Sequence, residues 1–388
     1  MEIKRLTVDH YDELLDMLNY TFGHKYGRPM DFIAEQPKMW VRDNEHMNRH
    51  LAIFEDGKLV SVTGVYPLPT KIGGIPCLLA TTGNVATLPE YEGRGYFNAI
   101  FTEVMNELDR IGADAGRLGG DRQRYARFGY EPGGATYKFT LSAVNRVKYF
   151  KQDECSVSFE RIERGNMDAL RFCHELSKTA HIYVERSTAD SYRDVYLAMR
   201  TKGCVPYLAL KDGQPIGYLC AYADSSYPNG RGIGELRAVT TSDYIDILCA
   251  WQKTVGANIT FGLTSHQNDL LRICYDACDF TVLSPSRFKI VNFQKITDAL
   301  MKLLASTQEI MEGECVLGIK DYGSIRLYAR KGEAGCEKTD ASPALTLDRR
   351  AATRLLIGTL PTNAIATVPA ILKAWLPLPM SWETLDFV

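Results

Sequence analysis

Apolar residues alternate with polar ones in the first part of the chain, then change period near residue 97. Leu51-Ala-Ile-Phe-Glu-Asp-Gly-Lys-Leu-Val-Ser-Val-Thr-Gly-Val65 holds two β-rich runs around Asp56-Gly57, which predicts a hairpin. Residues 71–79 and 83–88 offer two further strands. Over residues 97–111 the spacing becomes helical, with Ile100, Phe101, Val104, Met105 and Leu108 on one face. A short strand at 115–119, a short helix at 122–128 and a closing strand at 135–141 follow. Before the hairpin, residues 3–6 read as a strand, and Asp9 caps a helix carrying Leu14, Leu15 and Leu18. The order β-α-β-β-β-α-β-α-β makes an α+β module of about 140 residues, a common domain size.

Residues 148–155 are polar and read as a linker, after which a strand restarts at 157–162. Residues 207–222 repeat the hairpin pattern around Asp212-Gly213, and a strand at 235–240, a helix at 244–255 and a strand at 258–263 follow. This echo is a weak internal repeat. Beyond Pro285 the pattern changes to a strand at 288–291, a helix at 293–305, a hairpin from 315–319 and 325–328, and two late helices around Leu355 and Ile371. The closing run Trp375-Leu-Pro-Leu-Pro-Met-Ser-Trp-Glu-Thr-Leu-Asp-Phe-Val388 is too apolar and aromatic for a frayed end, which predicts that it packs into the protein.

A length of 388 residues calls for two or three domains. The net charge of −2 argues against a global field for nucleic acid, and no apolar stretch has the length of a membrane span. The ten cysteines are scattered rather than clustered, which fits free thiols in a cytoplasmic protein.

The chemistry concentrates in Asn84-Val-Ala-Thr-Leu-Pro-Glu-Tyr-Glu-Gly-Arg-Gly-Tyr-Phe-Asn-Ala-Ile100, a strand, a proline-marked turn, a glycine loop and a helix start. Free N–H groups and the positive end of a helix dipole meet there, a place for a diphosphate. Downstream, Tyr125-Ala-Arg-Phe-Gly-Tyr-Glu-Pro132 runs from a helix end through Gly129 into a strand. Glu92-Gly-Arg-Gly-Tyr-Phe97 resembles the acyl-coenzyme A loop of the GNAT acetyltransferases, with Glu92 and Phe97 departing from the general pattern. The tyrosine segment is similar to theirs as well, and the resemblance makes Tyr125 the general acid toward the leaving thiolate and leaves Tyr130 to packing. A phenol holds its proton at neutral pH yet can give it to a thiolate.

Three segments carry a closer resemblance to the enhanced intracellular survival acetyltransferases: Val85-Ala-Thr-Leu-Pro89 with Arg94-Gly95 and two bulky residues, the Tyr125 segment, and Glu235-Leu-Arg-Ala-Val-Thr240. It implies an α+β chain of two tandem GNAT-like domains and a domain like sterol carrier protein 2. The expected bounds are 1–147 for the catalytic domain, 148–287 for a second without its own active site, and 288–388 for the third. It also implies acetyl-coenzyme A as co-substrate, no metal, and direct transfer to an amine of aminoglycoside, polyamine or lysine type. Asn84, Val85 and Ala86 would pair with pantetheine; Gly93, Arg94, Gly95, Tyr96 and Phe97 would form the pyrophosphate loop. The carboxylate of Val388 would be the base, with Asp386 as competitor, and a homo-oligomer, a hexamer, is expected. A lipid carrier, or a coenzyme A-binding scaffold with a non-catalytic GNAT domain, is the alternative.

Three other signals point elsewhere. Gly230-Arg-Gly-Ile-Gly234 precedes a strand rather than a helix and reads as a hairpin turn. His46 with His50 lacks a third metal ligand and reads as a solvated helix face, and Cys274 with Cys278 reads as two buried thiols on one helix.

Overall fold

The computed structural model describes residues 2–188, 193–223, 230–382 and 384–387. Val388, the expected base, lies outside the described residues. Both expected hairpins form, His50–Glu55 with Lys58–Ile72 and Cys204–Lys211 with Gln214–Tyr222. Asp56 and Gly57 have φ of 51° and 79°, and Asp212 and Gly213 have 52° and 74°. Positive φ at both central residues gives the tight turn whose twist suits a hairpin.

The first part of the chain builds a largely antiparallel sheet in the order Ile3–Arg5, His50–Glu55, Lys58–Ile72, Ile75–Thr87, Ala115–Leu118, Ser286–Ile290, Glu131–Gly133. Ile75–Thr87 and Ala115–Leu118 are its parallel neighbours, paired from Leu79–Ala115 to Thr82–Leu118. Helix Tyr96–Arg110 buries Ile100, Phe101, Val104 and Leu108 against this sheet. Each such side chain contributes roughly 1.5–3 kcal/mol of burial.

The expected closing strand of this module belongs elsewhere. Thr136–Leu141 pairs with Ile259–Thr264 and Asp279–Leu283 in a separate three-stranded sheet. Its expected place is taken by Ser286–Ile290, antiparallel between Ala115–Leu118 and Glu131–Gly133. Alternation marks a strand and its buried face but does not name its partner, so two strands change places without a local signal.

The middle part adds a four-stranded antiparallel sheet, Ile233–Ala238, Gln214–Tyr222, Cys204–Lys211 and Val157–Arg161. The last part packs helix Phe293–Thr307 on a sheet of Glu333–Thr339, Gly323–Arg330, Gly313–Ile319 and Leu345–Leu347. Its Ile296, Leu300 and Leu303 join the same apolar cluster as Val62, Leu79 and Phe101, so the first and last parts share one core. The whole is a mixed α+β protein.

The tail packs as expected. Trp375, Leu378, Met380, Trp382 and Leu385 are buried, and Leu385 sits in a middle-part cluster with Tyr218 and Cys220. Gly134, with φ of 73°, lets the Met380 carbonyl approach, since a Cβ there would lie 2.5 Å from that oxygen. His46 and His50 do not share a helix: His46 is in Asn44–Met47 and His50 opens a strand. No group of metal-ligating side chains occurs among the described residues.

Candidate active site

The site begins with a fault in the ladder between Lys58–Ile72 and Ile75–Thr87. Val62 pairs with Ala86 and Gly64 with Gly83, so Asn84 and Val85 stand opposite Thr63 alone. That is a β-bulge, which bends the strand and takes backbone groups out of the ladder. Asn84 adopts φ of 54°, a left-handed conformation asparagine tolerates. Its buried side chain donates to the Tyr66 hydroxyl at 2.7 Å, and that hydroxyl lies 2.8 Å from His50 Nε2. Burial pushes the His50 pKa down to about 4, so the ring is neutral at pH 7. His50 and Tyr66 are thus buried supports of the bulge, and His46 is buried too, so the solvated helix face expected of the two histidines does not form.

Beyond the bulge, residues 88–95 carry the chain to helix Tyr96–Arg110. Gly93 and Gly95 have φ of 79° and 83° with open space where a Cβ would be, so conformation rather than crowding requires glycine. No hydrogen bond among the described residues takes the N–H of Gly93, Arg94, Gly95, Tyr96 or Phe97. A cleft of about 470 Å³ lies over them, walled in part by Arg124 and Arg127. Such donors at a helix N-terminus suit a phosphate.

Side chains divide the work differently from the sequence reading. Arg94 is half exposed and donates to Glu55 at 2.8 Å, while the Tyr96 hydroxyl donates to the same carboxylate. Glu55 therefore ties the loop to the first hairpin and draws Arg94 toward itself. The cations that line the cleft are Arg124 and Arg127, whose guanidinium carbons sit 4.4 and 5.4 Å from the Phe97 ring centre. Both lie in the basic run Arg122-Gln-Arg-Tyr-Ala-Arg127, a signal present in the sequence beside the tyrosine.

Tyr125 ends the short helix Arg122–Tyr125, only 6% exposed. Its ring packs 5.2 Å from Phe101 and 5.8 Å from Phe97, centre to centre, and against Gly120. Burial, the largest effect, raises the phenol pKa above its ordinary value, so the group holds its proton at pH 7. The helix is anchored by Arg122, which meets the fully buried Glu131 at 2.8 Å, and Arg350 meets the same carboxylate at 2.7 Å. Tyr130 is fully buried, 6.0 Å from Phe101, in a packing position.

The tail arrives among buried charges. Lys38 donates to the Leu385 carbonyl at 2.5 Å. Arg186 meets Asp386 at 3.3 Å and grips Glu235 with two bonds of 2.8 Å, and Tyr218 donates to Glu235 at 2.7 Å. The guanidinium of Arg117, fully buried and bonded to Ser286, lies 3.7 Å from the Phe387 ring centre. Burial brings the Lys38 pKa down to about 7, opposed by Asp386. Burial works against the Glu235 charge too, but Arg186 holds its pKa down to about 2. Asp386 is thus committed to an anchoring ion pair. Arg117 lies within the strand Ala115–Leu118, so Phe387 packs on the strand that runs on toward Gly120 and Tyr125.

The family model of the acetyltransferase (GNAT) domain matches residues 2–133. Those residues are a GNAT acetyltransferase domain. The fold of the whole chain is similar to a GCN5-related N-acetyltransferase from Anabaena variabilis, with a TM-score of 0.70, 16% identity and all of both chains covered. Eis1 from Mycobacterium abscessus gives a TM-score of 0.68 at 13% identity, covering 99% of this chain and 98% of that one. A probable N-acyltransferase from Enterococcus faecalis V583 gives 0.65 at 16% identity over 92% and 89% of the two chains. No curated protein matches the sequence significantly. Within the GNAT domain, Thr87 beside the bulge, the glycine loop and Phe97, which packs on Tyr125, border one cleft, while the tail and the inserted strand Ser286–Ile290 come from outside the matched residues.

Proposed function

We propose that the protein transfers the acetyl group of acetyl-coenzyme A directly to an amine. One observation carries this reading: unengaged loop N–H groups line a cleft that starts at Thr87, beside the bulge, and its Phe97 packs on a buried, protonated tyrosine. Asn84, Val85 and Ala86 pair with the pantetheine amides, and a freed bulge donor polarises the thioester carbonyl as charge develops on its oxygen. The N–H groups of Gly93, Gly95 and Tyr96 hold the pyrophosphate, with Arg124 and Arg127 closing over it and Arg94 bracing the loop through Glu55. The carboxylate of Val388 takes a proton from the acceptor ammonium; the freed amine attacks the carbonyl carbon, and Tyr125 protonates the departing thiolate. Docking of residues 385–387 among Lys38, Arg117 and Arg186 supports delivery of that carboxylate.

In this reading residues 1–147 are the catalytic domain, 148–287 a GNAT-like domain without its own site, and 288–388 a domain like sterol carrier protein 2, exchanging strands as described. The assembly is a homo-oligomer. Thiol release from acetyl-coenzyme A across an amine panel tests the activity. Extending the chain by one glycine after Val388 is expected to lower turnover about a hundredfold, since general-base help is of that order. An unchanged rate in the extended enzyme excludes the terminal carboxylate as base.

A further inference from the structure

The strands Ile233–Ala238 and Ile259–Thr264 belong to different sheets, linked by an isolated bridge from Gly232 to Thr260. Where they part lies a cavity of about 410 Å³, a volume suited to a small molecule. Its walls are of two kinds. Phe261, Trp382 and Phe387 offer flat apolar surface, and Lys138, Lys202 and Arg237 offer positive charge. The carboxylate in the wall is Glu235, already engaged by Arg186 and Tyr218. The three cations have partners within the chain. An ammonium carries three donors and a guanidinium five, so such a group can hold a partner and a ligand together.

Phe387 borders this cavity and also touches the GNAT domain. Its ring lies over Arg117 of the GNAT domain and 4.2 Å from Lys202 Nζ in the middle part. The residue after it supplies the base in the reaction proposed above, so an acceptor deprotonated there is one residue along the chain from the wall of this cavity. We infer that the cavity seats the acceptor, and that the acceptor is an amine whose flat apolar body also bears an oxyanion. This deepens the acetyl-transfer reading and rests on it. A polycation would meet Lys138, Lys202 and Arg237 in the cavity. Like charges at such range disfavour entry. A carboxylate or phosphate gains charge-assisted bonds from the same groups, and either source fits.

The test compares amines of one body. Thiol release is measured with tyramine, L-tyrosine, O-phosphotyramine and spermidine, and the amine-free probes 4-hydroxyphenylacetate and phenyl phosphate are titrated calorimetrically into the full-length protein. L-Tyrosine or O-phosphotyramine is expected to exceed tyramine by about tenfold in kcat/KM, the worth of one charge-assisted bond; which of the two leads distinguishes carboxylate from phosphate. Lys138→Glu is expected to erase that preference and weaken the matching amine-free probe about tenfold, leaving acetyl-coenzyme A affinity unchanged. Equal rates for tyramine and its anionic analogues, or spermidine as the best acceptor, overturn the inference while acetyl transfer stands. Binding of neither amine-free probe also overturns it. Binding of these probes without thiol release from any amine instead overturns the acetyl-transfer reading and leaves the oxyanion site standing.

Discussion

Two strand-to-helix connections in this chain invite comparison. In the GNAT domain, Ile75–Thr87 is bulged, and residues 88–95 intervene before helix Tyr96–Arg110, whose N-cap is Gly95. In the middle part, Ile233–Ala238 is followed by Val239 and Thr240 and at once by helix Thr241–Val255. The Thr240 side chain caps that helix by accepting from the Asp243 N–H at 3.1 Å. The first connection holds its helix N-terminus open, with glycines that expose backbone donors. The second engages a donor internally and places Asp243 in the first turn, where a phosphate would meet like charge. A similar order of elements thus gives an open, donor-bearing helix start in one place and a capped joint in the other, and the loop decides which.

The tyrosines separate the two regions most sharply. Tyr125→Phe is expected to lower kcat about a hundredfold with little change in acetyl-coenzyme A affinity, since it removes an acid and keeps the ring. Tyr275, on helix Asn268–Ala277 of the middle part, is exposed, and Tyr275→Phe is expected to leave kcat unchanged. Steady-state kinetics with both variants checks the pair.

Next come the cations of the cleft. Arg124→Ala with Arg127→Ala is expected to weaken acetyl-coenzyme A binding about tenfold, and the loss should shrink as salt is raised. Calorimetric titration at two salt concentrations reads both effects.

The two halves also hold the tail differently, the GNAT domain through Lys38 and the middle part through Arg186. Only the lysine titrates near neutrality. With its native pKa down to about 7 against an ordinary 10.5, the unfolded chain binds a proton that the native one lacks between those values. Stability therefore rises with pH from 7, by at most about 1.4 kcal/mol per pH unit from this group. Above pH 9 the buried thiols reverse the trend, because their raised pKa values keep protons the unfolded chain loses. Urea unfolding between pH 7 and 9 is expected to show the rise in wild type and lose it in Lys38→Met. The smallest effect belongs to the second connection. Thr240→Ala is expected to cost about 1 kcal/mol of stability, a typical cap, without changing acetyl-coenzyme A affinity; thermal melts with and without cofactor measure both.

What the sequence disclosed was local. The Asp-Gly hairpins, the amphipathic run ending in Leu108, the glycines at 93 and 95 and the helix bearing Tyr125 each depend on neighbours within a few residues, where periodicity and turn chemistry act. The exchange of Thr136–Leu141 for Ser286–Ile290 was hidden because a strand's alternation does not identify its partner. The direction of Arg94 was hidden too, since Glu55 lies in the preceding hairpin. The anchoring of the tail joins residues hundreds of positions apart: Lys38 to Leu385 and Arg186 to Asp386. Its apolar composition showed that it would pack, and only the fold shows among which charges.

We propose that the open connection at residues 84–97, and not its counterpart at 239–243, holds the cofactor. Amide hydrogen exchange of the full-length protein with and without acetyl-coenzyme A addresses it directly. New protection is expected at residues 84–86 and 93–97 and none at 239–243. Protection confined to 239–243, or cofactor binding that leaves 93–97 exchanging as before, would contradict it.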